Sequence, residues 1–229
     1  VSAGIEVTPE TLQPLVYIPE REGSLQVEML VTPARFGLLG VRTGPSMRAL
    51  FELLNSQRPV IVLLNLGLDS VPVWHYAVAI GYDRAKGKIY LRSGTDRRVS
   101  FSFRRFEKTW SRSGYWAMVV VSPGEVPVAV EPTDFLKAAS SLERLHRYAE
   151  ARRAYQAATQ LWPDNALVWA GAGNVAYALS DFDPAESAYR RALALEPGNV
   201  LVMNNLALAL AQRGCAVQAR AVIDCALGR

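Results

Sequence analysis

A chain of 229 residues that is one half apolar and one fifth charged has the composition of an ordinary globular protein and enough length for two modules, each with its own core. Its net charge of +4 comes from scattered arginines, paired only locally as in Arg97-Arg98 and Arg104-Arg105, so no nucleic-acid-binding surface is expected. No apolar run, Val60 to Leu64 among them, approaches the roughly 18 residues of a membrane-spanning helix. The only two cysteines, Cys215 and Cys225, lack neighbours at ligand spacing, so no metal or other cofactor is expected.

The opening Val1-Ser2-Ala3-Gly4 reads as the tail of a helix ending at glycine, which predicts that most of that helix precedes Val1. Thr8-Pro9-Glu10 is a capped helix start with proline in the first turn. Ser24 predicts the cap of a second helix running to about Phe36, and Ser46 the cap of a third running to about Leu54. Strands are then expected over Pro59 to Leu66, Trp74 to Tyr82 and Lys88 to Arg92, with Arg84 to Gly87 as the turn between the last two. A short strand near Val99, a helix from Ser102 to Trp110 and a strand from Tyr115 to Val121 complete the module. Helices followed by an antiparallel sheet is the α+β arrangement. Pro123, Gly124, Pro127 and Pro132 mark a semi-rigid linker, dividing the chain into residues 1–122, a linker 123–132 and residues 133–229.

His75, one of two histidines, begins the strand Trp74-His75-Tyr76-Ala77-Val78. Taken alone, such a histidine is more often structural. At the mouth of an anchored strand, however, it resembles the histidine with which papain-like folds deprotonate a cysteine nucleophile.

The stretch Val7 to Val121 resembles the bacteriocin-processing, double-glycine type of papain-like cysteine peptidase, in the subgroup fused to tetratricopeptide repeats. The matching pieces are Val7-Thr8-Pro9-Glu10-Thr11-Leu12, Gly23-Ser24-Leu25-Gln26-Val27-Glu28-Met29-Leu30, Arg58-Pro59-Val60-Ile61-Val62-Leu63-Leu64-Asn65, Trp74-His75-Tyr76, Ser93-Gly94-Thr95 and Phe106-Glu107-Lys108-Thr109-Trp110. The resemblance implies that His75 accepts the proton of a cysteine nucleophile carried by a Gln-Cys-Gly sequence on the first helix, which would lie before Val1. It also implies an acid on the strand after the histidine strand. That position is held by Ser93, with Asp96 the nearest carboxylate in sequence. A bacterial protein exported to the envelope, often as a lipoprotein, is implied as well. Without the nucleophile, the 229 residues are expected to have no peptidase activity. Cys215 and Cys225 cannot replace it, because both fall inside the repeats described next and are expected to be buried small apolar residues.

From Thr133 onward the sequence repeats every 34 residues, the tetratricopeptide pattern. Ala151, Ala185 and Ala219 coincide, as do Tyr155, Tyr189 and Ile223, then Pro163 and Pro197. In the first helices Phe135, Trp169 and Met203 coincide, and so do the small residues Ala139, Gly173 and Ala207. Helices are predicted over Thr133–Leu145, Tyr148–Trp162, Ala166–Ser180, Phe182–Leu195, Val200–Arg213 and Ala216–Leu227. The small residues let paired helices approach, and the tyrosines fill the gap toward the following repeat. Such repeats bind a protein or peptide partner. The candidate peptide-binding residues are Asn174, Tyr177 and Asn205, since Asn174 and Asn205 match an asparagine pair that holds peptide backbone in some members. The accompanying cations are missing, Ala170 standing at one of their positions, so a carboxylate clamp is not expected. The C-terminal edge near Cys225 is an equally open docking place. Two functions remain: a cysteine peptidase-like protein with a protein-binding repeat domain, or a non-catalytic adaptor.

Overall fold

The computed structural model describes residues 5–19 and 23–228; the helix tail expected over Val1–Gly4 lies outside them. The described residues form two compact units. One runs to Ser122 and includes Pro127–Ala138, and the other comprises Pro123–Val126 and the residues from Ala139 onward.

The first unit opens with α1 (Pro9–Val16), where the Thr8 hydroxyl accepts from the Thr11 amide and Pro9 sits in the first turn. Strands β1 (Tyr17–Ile18) and β2 (Gly23–Ser24) pair antiparallel. Ser24 is therefore a strand residue, and α2 (Gln26–Arg35) is capped by Leu25 without a side-chain bond. The cap expected at Ser24 fails because pairing with Tyr17 claims its backbone. A strand absent from the sequence reading follows, β3 (Leu39–Arg42), then α3 (Met47–Asn55), whose Ser46 cap accepts from the Ala49 amide at 3.1 Å. The rest is β4 (Val60–Asn65), β5 (Trp74–Asp83), β6 (Lys88–Ser93), β7 (Asp96–Ser102), α4 (Phe103–Ser111, capped by Ser102) and β8 (Ala117–Val121). Tyr115 takes a left-handed turn conformation, φ 56°, which delays the closing strand to Ala117.

Six strands form one antiparallel sheet in the order β3-β8-β4-β5-β6-β7. Residues directly opposite each other share a face, and the face alternates along a strand. His75, Ala77 and Ala79 oppose Leu64, Val62 and Val60, whereas Trp74, Tyr76 and Val78 oppose Asn65, Leu63 and Ile61. A bulge between Ala79 and Gly81 shifts the register and turns Tyr82 to the His75 face. There the Phe51 ring of α3 meets it at 4.3 Å, with Phe103 of α4 5.3 Å from Phe51. On the opposite face Met29 and Leu30 of α2 pack against Leu63, Trp116 and Met118.

The second unit is helical. Its array is α5 (Pro132–Arg144, which starts in the first unit), α6 (Tyr148–Leu161), α7 (Ala166–Ala178), α8 (Phe182–Leu195), α9 (Val200–Gln212) and α10 (Ala216–Ala226). Asn165 and Asn199 cap α7 and α9 through their side chains. The turns inside each pair place His146, Ser180 and Gly214 at φ 56°, 61° and 78°. Only the last is glycine, the residue that adopts this region freely. Arg213, at the end of α9, pairs with the buried Glu186 and with Asp183, tying α9 to α8.

Close helix approach rests on two glycines in α7. A β-carbon at Gly171 would lie 2.2 Å from the Tyr155 ring, and one at Gly173 would lie 2.5 Å from the Tyr189 ring. Tyr155 of α6 thus reaches forward into the next repeat, as expected, and Tyr189 does so too, joining one cluster with Leu206 and Ala207 of α9 while its ring also covers Gly173 of its own repeat. Both rings are buried, 4% and 1% exposed, so neither moves cheaply. Gly171→Ala is expected to destabilise the helical unit by about 1–3 kcal/mol through overpacking, despite alanine's higher helix propensity. Urea unfolding followed by helical circular dichroism measures this.

Candidate functional site

The chemistry-bearing geometry of the first unit lies at the start of β5. Leu91 opposes Ala79, so Ser93, two residues along β6, shares the face of His75 and sits diagonally across from it. The His75 Nε2 and the Ser93 Oγ are 2.7 Å apart. Among the described residues Ser93 is the hydrogen-bond partner of the ring, which leaves Nδ1 as the nitrogen open to a further group. Asp96 pairs with Ser93 in the β6–β7 register, yet no hydrogen bond or ion pair among the described residues joins its carboxylate to the imidazole. The position where the resemblance implies an acid therefore offers the ring a hydroxyl.

Trp74 and Tyr76, on the other face of β5, line a cleft of about 1000 Å³ with Leu63, Ser24, Gln26 and Arg112. Burial pushes the Tyr76 phenol up to about 12, so it stays protonated at neutral pH and donates to the Ser24 carbonyl at 3.3 Å. A second cleft of about 290 Å³ on the same face is apolar, lined by Leu12, Val16, Met29, Ile61, Met118 and Val120.

The β4–β5 connection beside His75 is built around Asn65, only 2% exposed. Its Oδ1 accepts from the Gly67 amide at 3.0 Å and the Val73 amide at 2.9 Å, and its Nδ2 donates to the Leu68 carbonyl at 3.3 Å. Arg112 donates to the Gly67 carbonyl and pairs with Asp69 at 3.2 Å. In the sequence Asn65 falls inside the apolar strand expected over Pro59 to Leu66, with no role of its own; the observed strand ends on it. The signal for it was an asparagine ending a strand ahead of a Gly-containing loop.

In the helical unit Asn174, Tyr177 and Asn205 do come together, lining a small pocket of about 150 Å³ with Tyr189 and Leu208. The Asn174 Oδ1 accepts from the Tyr189 hydroxyl and from the Asn205 Nδ2, both at 3.0 Å. Those bonds orient both amides, so the Asn174 Nδ2 remains to donate and the Asn205 Oδ1 to accept. No lysine or arginine lines this pocket. Tyr189 was expected only to pack, and its hydroxyl adds a polar role. Cys215 is half-buried against the cluster around Tyr189 and Leu206, but Cys225 is exposed, contrary to expectation, and lies outside that cluster. Among the described residues no group of three His, Cys, Asp or Glu side chains could hold a metal ion, and no helix is long and apolar enough to cross a membrane.

Residues 136–185 and 170–229 match the tetratricopeptide repeat family. Among solved structures, the chain is similar to a crystal structure of MamA at 21% identity, over 43% of this chain and 54% of that one, with a TM-score of 0.41. MamA from Desulfovibrio magneticus RS-1 aligns at 14% identity over 42% and 54%, with a TM-score of 0.41. A C39-like peptidase from Bacillus anthracis aligns at 25% identity over 36% of this chain and 50% of that one, with a TM-score of 0.31. The chain spans about half the length of each of these structures. No curated protein matches the sequence. The molecule is thus an α+β unit with an antiparallel sheet followed by an all-helical tetratricopeptide unit.

Proposed function

We propose that the chain is the histidine-bearing part of a cysteine peptidase-like protein whose repeats hold a peptide or protein partner, the nucleophile coming from a segment before Val1. The observation that carries this reading is the 2.7 Å contact between His75 Nε2 and Ser93 Oγ. With Ser93 accepting from Nε2–H, the Nδ1 lone pair is available to take a thiol proton. A serine hydroxyl fixes that tautomer but does not balance the imidazolium charge as a carboxylate would. The 229 residues alone have no peptidase activity on this reading.

The test is a thiol-directed probe applied to the protein extended by its preceding segment. Rapid labelling of a cysteine there, lost in His75→Ala, supports the reading; the absence of a cysteine from that segment ends it. The second reading, a non-catalytic adaptor, is favoured by one observation, the hydroxyl at Ser93 with Asp96 out of contact. A cysteine that labels no faster than a free thiol decides for it.

The repeat pocket supports recognition of peptide backbone, because the free Asn174 donor and Asn205 acceptor match the two hydrogen-bonding groups of a peptide unit. The absence of lysine and arginine from its lining favours an internal segment over a terminal carboxylate. Asn174→Ala is expected to weaken such a peptide about tenfold, one hydrogen bond's worth, as read by titration calorimetry.

A further inference from the structure

The repeat period sets a second subsite beside the amide pocket of the helical unit. The pocket is lined by Tyr177 on α7, Asn205 and Leu208 on α9, and Tyr189 on α8. One period of 34 residues earlier these become Glu143 on α5, Gly171 and Asn174 on α7, and Tyr155 on α6. The two places are built alike, because in each a tyrosine hydroxyl donates to a first-helix residue of its own repeat. Tyr189 donates to the Asn174 Oδ1 and Tyr155 to the Glu143 Oε1. They differ in charge: where the second place has a phenol, Tyr177, the first has a carboxylate. Glu143 is half-buried, and among the described residues no other hydrogen bond or ion pair reaches it. The neighbouring cation, Arg144, donates instead to the Ser140 and Ser141 hydroxyls at 3.3 and 2.7 Å. Burial therefore prevails and pushes the Glu143 carboxyl above the ordinary carboxylate range, against the Tyr155 bond and Arg144. The carboxylate also acts on the adjoining pocket. Burial pushes the Tyr189 phenol up, and Tyr177 and Glu143 add to that rise.

We propose that the Glu143 subsite takes an arginine or lysine side chain of the peptide whose backbone is held at Asn174 and Asn205. A carboxylate withdrawn from water without an ion pair is stabilised by a cation brought to it. An arginine or lysine supplies both the charge and the donors that the Tyr155 hydroxyl leaves unmatched. Gly171 stands where Asn205 stands one repeat later, so this subsite has no second amide and its polarity is that of Glu143 and Tyr155. The two subsites share Asn174 and lie one first helix apart, on the order of 10 Å, a span that an extended chain crosses in about three residues. The same carboxylate repels a free C-terminus, in keeping with an internal segment. The proposal rests on the reading of the repeat pocket as a peptide site, and its test separates the charge from the backbone contact.

The probes are rhodamine-labelled nonapeptides of glycine and serine with blocked ends and a central arginine or citrulline, which has the same shape without the charge. Binding to the 229-residue protein is read by fluorescence anisotropy. The arginine peptide is expected to bind at least about tenfold tighter, the worth of a hydrogen bond to a charged group, and the preference shrinks as salt is added. Glu143→Gln abolishes the preference and leaves the citrulline peptide's affinity unchanged. Its amide oxygen still accepts from Tyr155, so helical circular dichroism stays the same. Asn174→Ala weakens both peptides alike and keeps the preference, so that variant bears on the backbone contact alone. Equal affinity of the wild type for the two peptides, or a preference that survives Glu143→Gln, overturns the proposal while leaving the backbone reading in place. Binding of neither peptide ends both.

Discussion

Replacing Trp110 by alanine is expected to cost the α+β unit about 3–5 kcal/mol, the range for removing a buried aromatic, and so to consume much of the 5–15 kcal/mol that a typical domain has in total. The ring is 0% exposed, packs on Phe106 at 5.4 Å and meets Tyr115 edge-on at 5.1 Å between centroids. Its indole N–H donates to the Trp116 carbonyl at 2.9 Å, a carbonyl that also accepts from the Leu63 amide at 3.1 Å. Most of the loss is therefore cavity and packing, since that carbonyl keeps one partner. Trp110→Phe separates the two contributions: it retains most of the volume and gives up the N–H, at about 1–2 kcal/mol. Urea unfolding monitored by the remaining tryptophans measures both, and equal losses for the two variants would contradict the division.

The second large effect is local. Asn65→Ala removes three hydrogen bonds at once and strands the Gly67 and Val73 amides. Each unsatisfied buried polar group costs about 1–3 kcal/mol, and because the tip beyond them is exposed, the hairpin opens rather than the whole sheet. Opening by about 2–4 kcal/mol corresponds to hydrogen exchange at Gly67 and Val73 faster by roughly 30- to 1000-fold. Amides of β4 such as Val62 should keep their protection. Asn65→Asp retains both acceptor contacts and loses the donation to Leu68, so it should fall between wild type and alanine. Uniform exchange gains across β4 would show that Asn65 supports the sheet rather than the hairpin.

Much of the fold was legible because the signals were periodic. The 34-residue recurrence located six helices to within a residue or two, since each repeat restates the same small-residue, aromatic and proline positions. The sheet was legible where capped helices and turn residues bracket it, as at Ser46 and Ser102. What escaped lacks such marks. β3 is a four-residue strand, Leu-Gly-Val-Arg, whose first three residues are buried, so neither alternation nor length announces it. Ser24 looked like a cap because its side-chain type suits one, and only its partner Tyr17, seven residues away, shows otherwise. Asn65 is invisible to periodicity, because its value lies in three bonds to backbone of a loop not yet folded around it.

Of the candidate site, the sequence could name His75 and Ser93 but not their distance, which depends on the β5–β6 register and the bulge at Ala79. It could name Asn174 and Asn205 but not the Tyr189 hydroxyl that orients them. In both places the residue types were readable, and the hydrogen-bond directions that define their chemistry required the tertiary structure.

The most direct test of the central reading is the pH profile of cysteine alkylation in the protein extended by its preceding segment, compared for wild type, His75→Ala and Ser93→Asp. If His75 is the base held by Ser93, His75→Ala reduces alkylation near neutral pH to the rate of a free thiol. Ser93→Asp raises it at least about tenfold, because a carboxylate beside the ring favours the imidazolium by one or more pH units. Identical profiles for all three proteins would contradict the account.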